Sequence, residues 1–270
     1  MRKRISSVLN HAAIIFACIC ATAPFFLIAI STFNTSVSIK KGAIFSNISV
    51  DNWISNFNTL TKDANFVIAL KNSIIVAVVT VVVGILLASL AGYAYVVYRN
   101  KLMNRLFSLT FFSIMIPSSV IVIPLFMILR TFNMLDSLFS IVLVSLSLPF
   151  LIYLFRQNTK LFPSELIKAA RIDGLSEISI YFKVYLPNMK AVLVTASLIL
   201  FIETWNSLMY PLVIIQSQKN MTLPVYLNSI GSSYTTDYGA FMVALIISTF
   251  PILIIFVIAQ KHFRAGMKTM

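Results

Sequence analysis

Two cysteines, two histidines, seven glycines and eight acidic residues are all that 270 residues contain, and charged side chains make up only 11% of the chain. So few cysteines exclude a disulfide scaffold, and so little glycine and charge excludes a collagenous or disordered chain. The histidines, His11 and His262, both flank apolar runs, which leaves no histidine inside a run to serve a membrane hydrolase. Cys18 and Cys20 share one apolar run without nearby histidines or acids, so they read as small buried residues and not as a metal site. Nothing in the chain matches a Walker A loop, a G-x-G-x-x-G turn or a potassium filter. What the chain does have is apolar surface: 59% of its residues are hydrophobic and its mean hydropathy is +0.92. That excess could not be buried in one soluble core, and it predicts a polytopic, all-α membrane protein.

Runs long enough to cross a hydrocarbon layer of about 30 Å fall at 12–33, 73–97, 106–129, 138–155, 191–215 and 239–259, which predicts six transmembrane helices. The net charge of +13 is a topology signal once its positions are read. Arg2 to Arg4, the group Arg99, Lys101 and Arg105, the stretch from Arg156 to Lys190, and Lys261, Arg264 and Lys268 all fall on one side. The other side holds Lys40, Lys41, Lys62, Lys71, Arg130 and Lys219, interspersed with Asp51, Asp63, Asp136 and Asp237. Both termini are therefore expected in the cytoplasm, and nucleic-acid binding loses its support. Arg2 to Arg4 followed by an apolar stretch and Ala21-Thr22-Ala23 imitates a signal peptide, but Pro24 and the run to Phe33 favour a retained first span.

The connection at about 156–190 is the largest cytoplasmic piece. Pro163 suits a first helical turn and Gly174 a left-handed stop, so a helix of about ten residues is expected between them, with Phe162, Leu166, Ala169 and Ala170 near one face. Ser176 can cap a second helix that ends before Leu186-Pro187. Physics alone leaves two readings open, an amphipathic elbow resting on headgroups and a docking helix for a cytoplasmic partner. Ala169-Ala170, Gly174 and Val184-x-Leu186-Pro187 stand at the spacing of the E-A-A-x3-G-x9-I-x-L-P loop, and here the chain resembles the bacterial ABC importer permeases. Asn72-Ser73, Ile116-Pro117, Ile123-Pro124, Trp205-Asn206, Pro211-Leu212, Leu223-Pro224 and Gln260-Lys261-x-Phe263 extend the likeness, from about Val50 onward, to the six-span second permease of the carbohydrate-uptake branch.

The resemblance implies the ABC type I importer permease fold, with a permease domain over 73–259 between an N-terminal portion, 1–72, and a cytoplasmic tail, 260–270. It implies a subunit without catalytic activity or bound cofactor of its own, the ATP and magnesium being held by a partner ATPase. The implied partners are a second related permease, two ATPase subunits, an extracytoplasmic solute-binding protein and a carbohydrate cargo. The elbow becomes the coupling helix, with Glu165, Lys168, Ala169, Ala170, Arg171, Asp173 and Gly174 as its docking surface. Three departures stand out. Lys168 replaces the motif's glutamate, with Glu165 one turn earlier; Ser207 stands where relatives often carry an acid, with Glu203 one turn earlier; and the tail ends at Met270, soon after Gly266.

Sugars are recognised by aromatic faces together with amide and carboxylate hydrogen bonds, so Glu203, Trp205 and Asn206, within one turn, are the candidate cargo-pathway residues. An interhelical polar clamp is the competing role. Pro117 and Pro124 predict kinks in the third span, movable or fixed. The external stretch 34–72, with Trp53 and Phe57, and the stretch 216–237 could meet a binding protein or simply cap the spans. A solitary secondary transporter or channel remains the alternative, as does an importer of a glycerol phosphate ester. The first would need more titratable groups at membrane depth than Glu203.

Overall fold

The computed structural model describes residues 2–233 and 236–267, with side chains described from residue 10 to residue 261. The expectations resting on Arg2 to Arg4, on His262, Phe263 and Arg264 as side chains, and on Lys268 and Met270 lie outside the described residues. Every element among the described residues is helical. Three helices are long and apolar enough to cross a membrane, and three bent pairs bring the total to six spans if each pair is one span.

One compact unit comprises Met1–Val67 and Tyr226–Pro251. It begins with α1 (Arg2–Ser31), short α2 (Ser36–Lys40) and amphipathic α3 (Val50–Lys62). Buried polar side chains tie its loops together: the Asn56 amide donates to the carbonyls of Thr32 and Asn34, both at 2.9 Å, and the Asn34 amide donates to Ile44 O at 2.7 Å. Asp63 caps α4 (Ala64–Val97) by accepting from the Asn65 N–H at 2.9 Å, and its other oxygen accepts from the Tyr226 hydroxyl at 2.7 Å. This cap starts the helix nine residues before the expected 73, because Lys71 interrupts the hydropathy without interrupting the helix. Trp53, offered above as a binding-protein contact, stacks between Phe33 and Phe57 at 6.4 and 5.3 Å.

The other unit, Ile68–Val225 with Ile252–Met270, holds the broken spans. The third expected span is α5 (Lys101–Phe112), a single turn at Ser113–Met115 and α6 (Ser118–Thr131), with a bend of 106° between the legs. Ile116, preceding a proline, is held extended with ψ 116°, so the helix cannot run through it. Pro124, by contrast, stays within α6. The fourth span is α7 (Leu138–Ser145) and α8 (Pro149–Lys160), bent by 43°, with Pro149 in the first turn of α8.

Then come α9 (Ser164–Ile172), α10 (Glu177–Ile180), a π-helical turn at Tyr181–Tyr185 and α11 (Leu186–Asn188). The second helix of the elbow therefore does not stop before Leu186-Pro187. The wider π turn precedes Pro187, which then sits in a first helical turn, where no amide donor is needed. The fifth span is α12 (Lys190–Trp205) and, past a break at 206–208, α13 (Met209–Ile214). Its 16-residue first leg rises only about 24 Å. The chain closes with α14 (Leu223–Gly231) and α15 (Tyr238–Met267).

Within this second unit α4 is the spine. Gly84, Ala88 and Gly92, spaced by four, form a stripe of small residues on which α8 and α12 lie close. A Cβ at Gly92 would stand 2.5 Å from Phe155 Cβ and 2.9 Å from the Arg156 backbone nitrogen, so only glycine permits this approach. Around the stripe pack Leu148, Leu151, Phe155, Ala196 and Leu200.

Candidate functional sites: a docking elbow and a hydroxyl-lined cavity

The elbow is built from a helix stop. Gly174 takes φ +80°, its N–H reaches Arg171 O, and the Leu175 N–H reaches Ala170 O, both at 3.1 Å. These two bonds with Leu175 packed over Ala170 make a Schellman motif, which turns the chain from α9 into α10. Ser176 then caps α10 by accepting from the Ser179 N–H at 3.3 Å, as the sequence predicts.

Two aromatic side chains anchor the elbow to the spans. Tyr181 and Tyr185, four residues apart, flank Tyr93 of α4 with ring centroids 5.6 and 4.7 Å away. Tyr181 shares a 2.6 Å hydrogen bond with Ser89 of α4, and Tyr185 one of 2.6 Å with Thr159 of α8. Ile167, Ala170, Ile180 and Met189 complete this core. The elbow is thus joined to two spans by buried rings with satisfied hydroxyls.

Ala170 is the correction to the expected docking surface: it is 6% exposed, because Ile167 and Ala170, three apart, form the face of α9 that points into the tyrosine core. Leu166 and Ala169, grouped with it above, point outward. The outward surface comprises Glu165, Leu166, Lys168, Ala169, Asp173 and Ile172, the last 87% exposed. Three large apolar side chains of the elbow are exposed as well, Leu161 at 83%, Ile172 at 87% and Ile178 at 73%. Sequence reading passed over these three because isolated apolar residues in a polar loop carry no periodic signal.

Arg171, one turn after Ile167, is occupied: its Nε and Nη2 donate to the two oxygens of Glu177 at 2.6 and 3.1 Å, and the Tyr98 hydroxyl donates to Glu177 Oε2 at 2.7 Å. The hydrogen bond from Arg171, then that from Tyr98, holds the Glu177 carboxyl below its usual range. Glu165 is likewise lowered, first by its own backbone N–H and then by the Ser164 hydroxyl.

The second site is a cavity of about 320 Å³. Its serine lining comes from the interruptions in three spans: Ser113 and Ser118 beside the Pro117 break, Ser145 at the end of α7 with Ser147 after it, and Ser207 after α12; Thr204 and Tyr210 add hydroxyls from α12 and α13. Glu203 is its one charged side chain, and no lysine, arginine or histidine lines it. Irregular backbone is tolerated at membrane depth where it lines a polar cavity, and a cavity of this kind is where hydroxyl-rich cargo can exchange water for protein hydrogen bonds.

Of the three expected pathway residues, only Glu203 reaches this cavity. Trp205 is 3% exposed and stacks on Phe201, with centroids 5.6 Å apart and planes 14° from parallel. It therefore offers no open face to a sugar. Asn206 ends α12, donating its N–H to Ile202 O at 3.1 Å, and lies outside the cavity lining. At 100° per residue, position 205 falls nearly opposite 203, whereas Leu200 falls about 60° from it and lines the cavity with it.

Residues 80–269 match the family described as binding-protein-dependent transport system inner membrane component. The chain is 32% identical over 268 residues to the lactose transport system permease protein LacG of Rhizobium radiobacter, spanning 99% of this chain and 97% of the relative. It is 29% identical over 275 residues to the arabinooligosaccharides transport system permease protein AraQ of Halalkalibacterium halodurans, spanning 99% and 98%. Among solved structures, a bacterial ABC transporter involved in the import of the acidic polysaccharide alginate superposes with a TM-score of 0.84 at 22% identity, covering 97% of this chain and 98% of that one.

Proposed function

Because the chain belongs to the binding-protein-dependent transport system inner membrane component family, we propose that it is one of two permease subunits of an ATP-driven importer for a carbohydrate, a mono- or oligosaccharide. Its partners are a second, related permease, two cytoplasmic ATPase subunits that bind ATP and magnesium, and an extracytoplasmic solute-binding protein. The assembly sits in the cytoplasmic membrane of a bacterium with both termini of this chain inside.

The observation that carries the cargo assignment is the cavity at the three helix breaks, with its five serine hydroxyls and single carboxylate. Near full-length similarity to permeases named for lactose and arabinooligosaccharides supports it. Coupling runs through the elbow. A rigid body is needed to convert closure of the ATPase subunits into movement of the spans, and the Schellman stop at Gly174 with the Arg171–Glu177 brace supplies one. Tyr181 and Tyr185 carry that movement into α4 and α8 through Ser89 and Thr159.

The test is uptake of a labelled sugar panel by proteoliposomes holding the four-subunit membrane assembly, with the binding protein outside and ATP inside. Saturable, ATP-dependent uptake of a neutral sugar is the expected result. Uptake by this chain reconstituted alone, without ATP, would overturn the reading.

A further inference from the structure

Glu203 shares its cavity with hydroxyls and apolar groups, and the fold keeps every counter-charge of the lining elements away from it. Their spans break at one end of each leg and carry their cations toward the other. Lys101 and Arg105 stand at the start of α5, whose end leads to Ser113, and Arg130 lies in the last turn of α6, whose start holds Ser118. Arg156 and Lys160 occupy the second half of α8. Lys190 opens α12, and the helix rises about 20 Å from there to Glu203. Neither α7 nor α13 contains a basic residue.

The carboxylate is also uncommitted. Glu203 is exposed, and among the described residues it forms no ion pair and accepts no hydrogen bond. A carboxylate at membrane depth attracts whatever can donate to it or neutralise it and repels its own sign, strongly so where apolar groups lower the local dielectric. A neutral sugar offers it one charge-assisted hydrogen bond. An amino sugar offers the bond and a full opposite charge, whereas a carboxylate or phosphate on the cargo meets repulsion.

We propose that Glu203 selects cargo by charge: the cavity takes amino sugars best and neutral sugars next, and refuses uronic acids and phosphate esters. The uncharged serines bind the ring hydroxyls that all these sugars share and so do not discriminate among them. Selection of this kind rests on the carbohydrate-importer reading, and it excludes a glycerol phosphate ester as cargo.

The test is equilibrium dialysis of labelled sugars against the purified four-subunit assembly at pH 7, without the binding protein, so that only the membrane cavity chooses. The probes are glucose and galactose, each with its 2-amino-2-deoxy derivative and its uronic acid. In the configuration that binds, the amino sugar should bind about tenfold more tightly than the neutral one, and the uronate about tenfold less. Glu203→Gln should bring the three within about twofold of one another, Glu203→Asp should keep the order, and Ser207→Ala should weaken all three alike. The order in the unsubstituted assembly already decides the matter if Glu203→Gln does not fold. Equal binding of neutral sugar and uronate, or an order that survives Glu203→Gln, overturns charge selection and leaves the importer reading intact. A folded Glu203→Gln chain that no longer retains the second permease also overturns it, by assigning the carboxylate to the subunit interface. Binding of none of these sugars overturns both readings.

Discussion

Arg171 grips Glu177 with two nitrogens, across the turn that separates α9 from α10. Both side chains are about two-fifths exposed, so the pair contributes only about 0.5 kcal/mol to stability. Its consequence is mechanical: it holds the outward face of α9 at one angle to the tyrosine core.

That brace titrates. The Glu177 carboxyl is lowered in the folded chain, so its contribution is complete above the carboxylate's ordinary value near 4.3 and is lost as pH falls through the folded value. Hydrogen exchange at residues 171–177 should be unchanged from pH 8 to 5 after correction for intrinsic rates, and should accelerate below that. Glu177→Gln should show the faster exchange at every pH, and it should lower uptake per ATP hydrolysed without altering assembly.

Gly174 has nothing within 4 Å of the position a Cβ would take, so substitution there meets backbone strain alone. A β-branched side chain at φ +80° costs about 1–2 kcal/mol. Gly174→Val is expected to insert and assemble normally while ATP hydrolysis is uncoupled from uptake. Uptake at the unsubstituted rate would show that the turn is not a lever.

Gly92→Ala tests the spine of the second unit. The added methyl would meet Phe155 Cβ and the backbone of Arg156, neither of which can rotate away. A loss of about 1–3 kcal/mol is expected, seen as a lower thermal midpoint of the purified assembly. Gly84→Ala meets chiefly the flexible end of Leu200 and should be milder.

At the cavity, Glu203→Gln should leave assembly and thermal stability unchanged and reduce uptake at limiting sugar about tenfold, the effect of losing one charge-assisted hydrogen bond. Ser207→Ala should cost less, about fivefold. Trp205→Ala is expected to behave differently, destabilising the fold by about 3–5 kcal/mol, since the ring is packed against Phe201 and not against cargo. Equal transport defects without destabilisation for Trp205 would return it to the pathway.

The helical class, the six apolar runs and the elbow with its glycine stop were readable from hydropathy and from turn chemistry, which act over a few residues. The inward face of α9 was not, because Leu166, Ile167, Ala169 and Ala170 are all apolar and their order does not say which pair the tyrosines will cover. The 106° turn at Pro117 was foreseen only as a kink: Pro117 and Pro124 look alike in sequence, yet Ile116 goes extended before one and α6 runs through the other. Ser147 carried no signal and Ser207 stood out only for replacing an acid, since a serine acquires meaning at a helix break only when two other breaks arrive beside it. The start of α4 was misplaced because Asn72 and Lys71 look like a loop; Asn72 is instead buried, its amide donating to the carbonyls of Lys219 and Met221 at 3.0 and 2.9 Å.

The shortness of α12 has an electrical side. A helix that rises only about 24 Å from Lys190 to Trp205 cannot hold both ends in the headgroup layers of an unperturbed bilayer of about 30 Å. The break at 206–208 therefore falls inside the membrane, and α13 completes the crossing. Glu203, two residues before the end of that first leg, therefore stands within the span, where any charge it carries feels part of the membrane voltage.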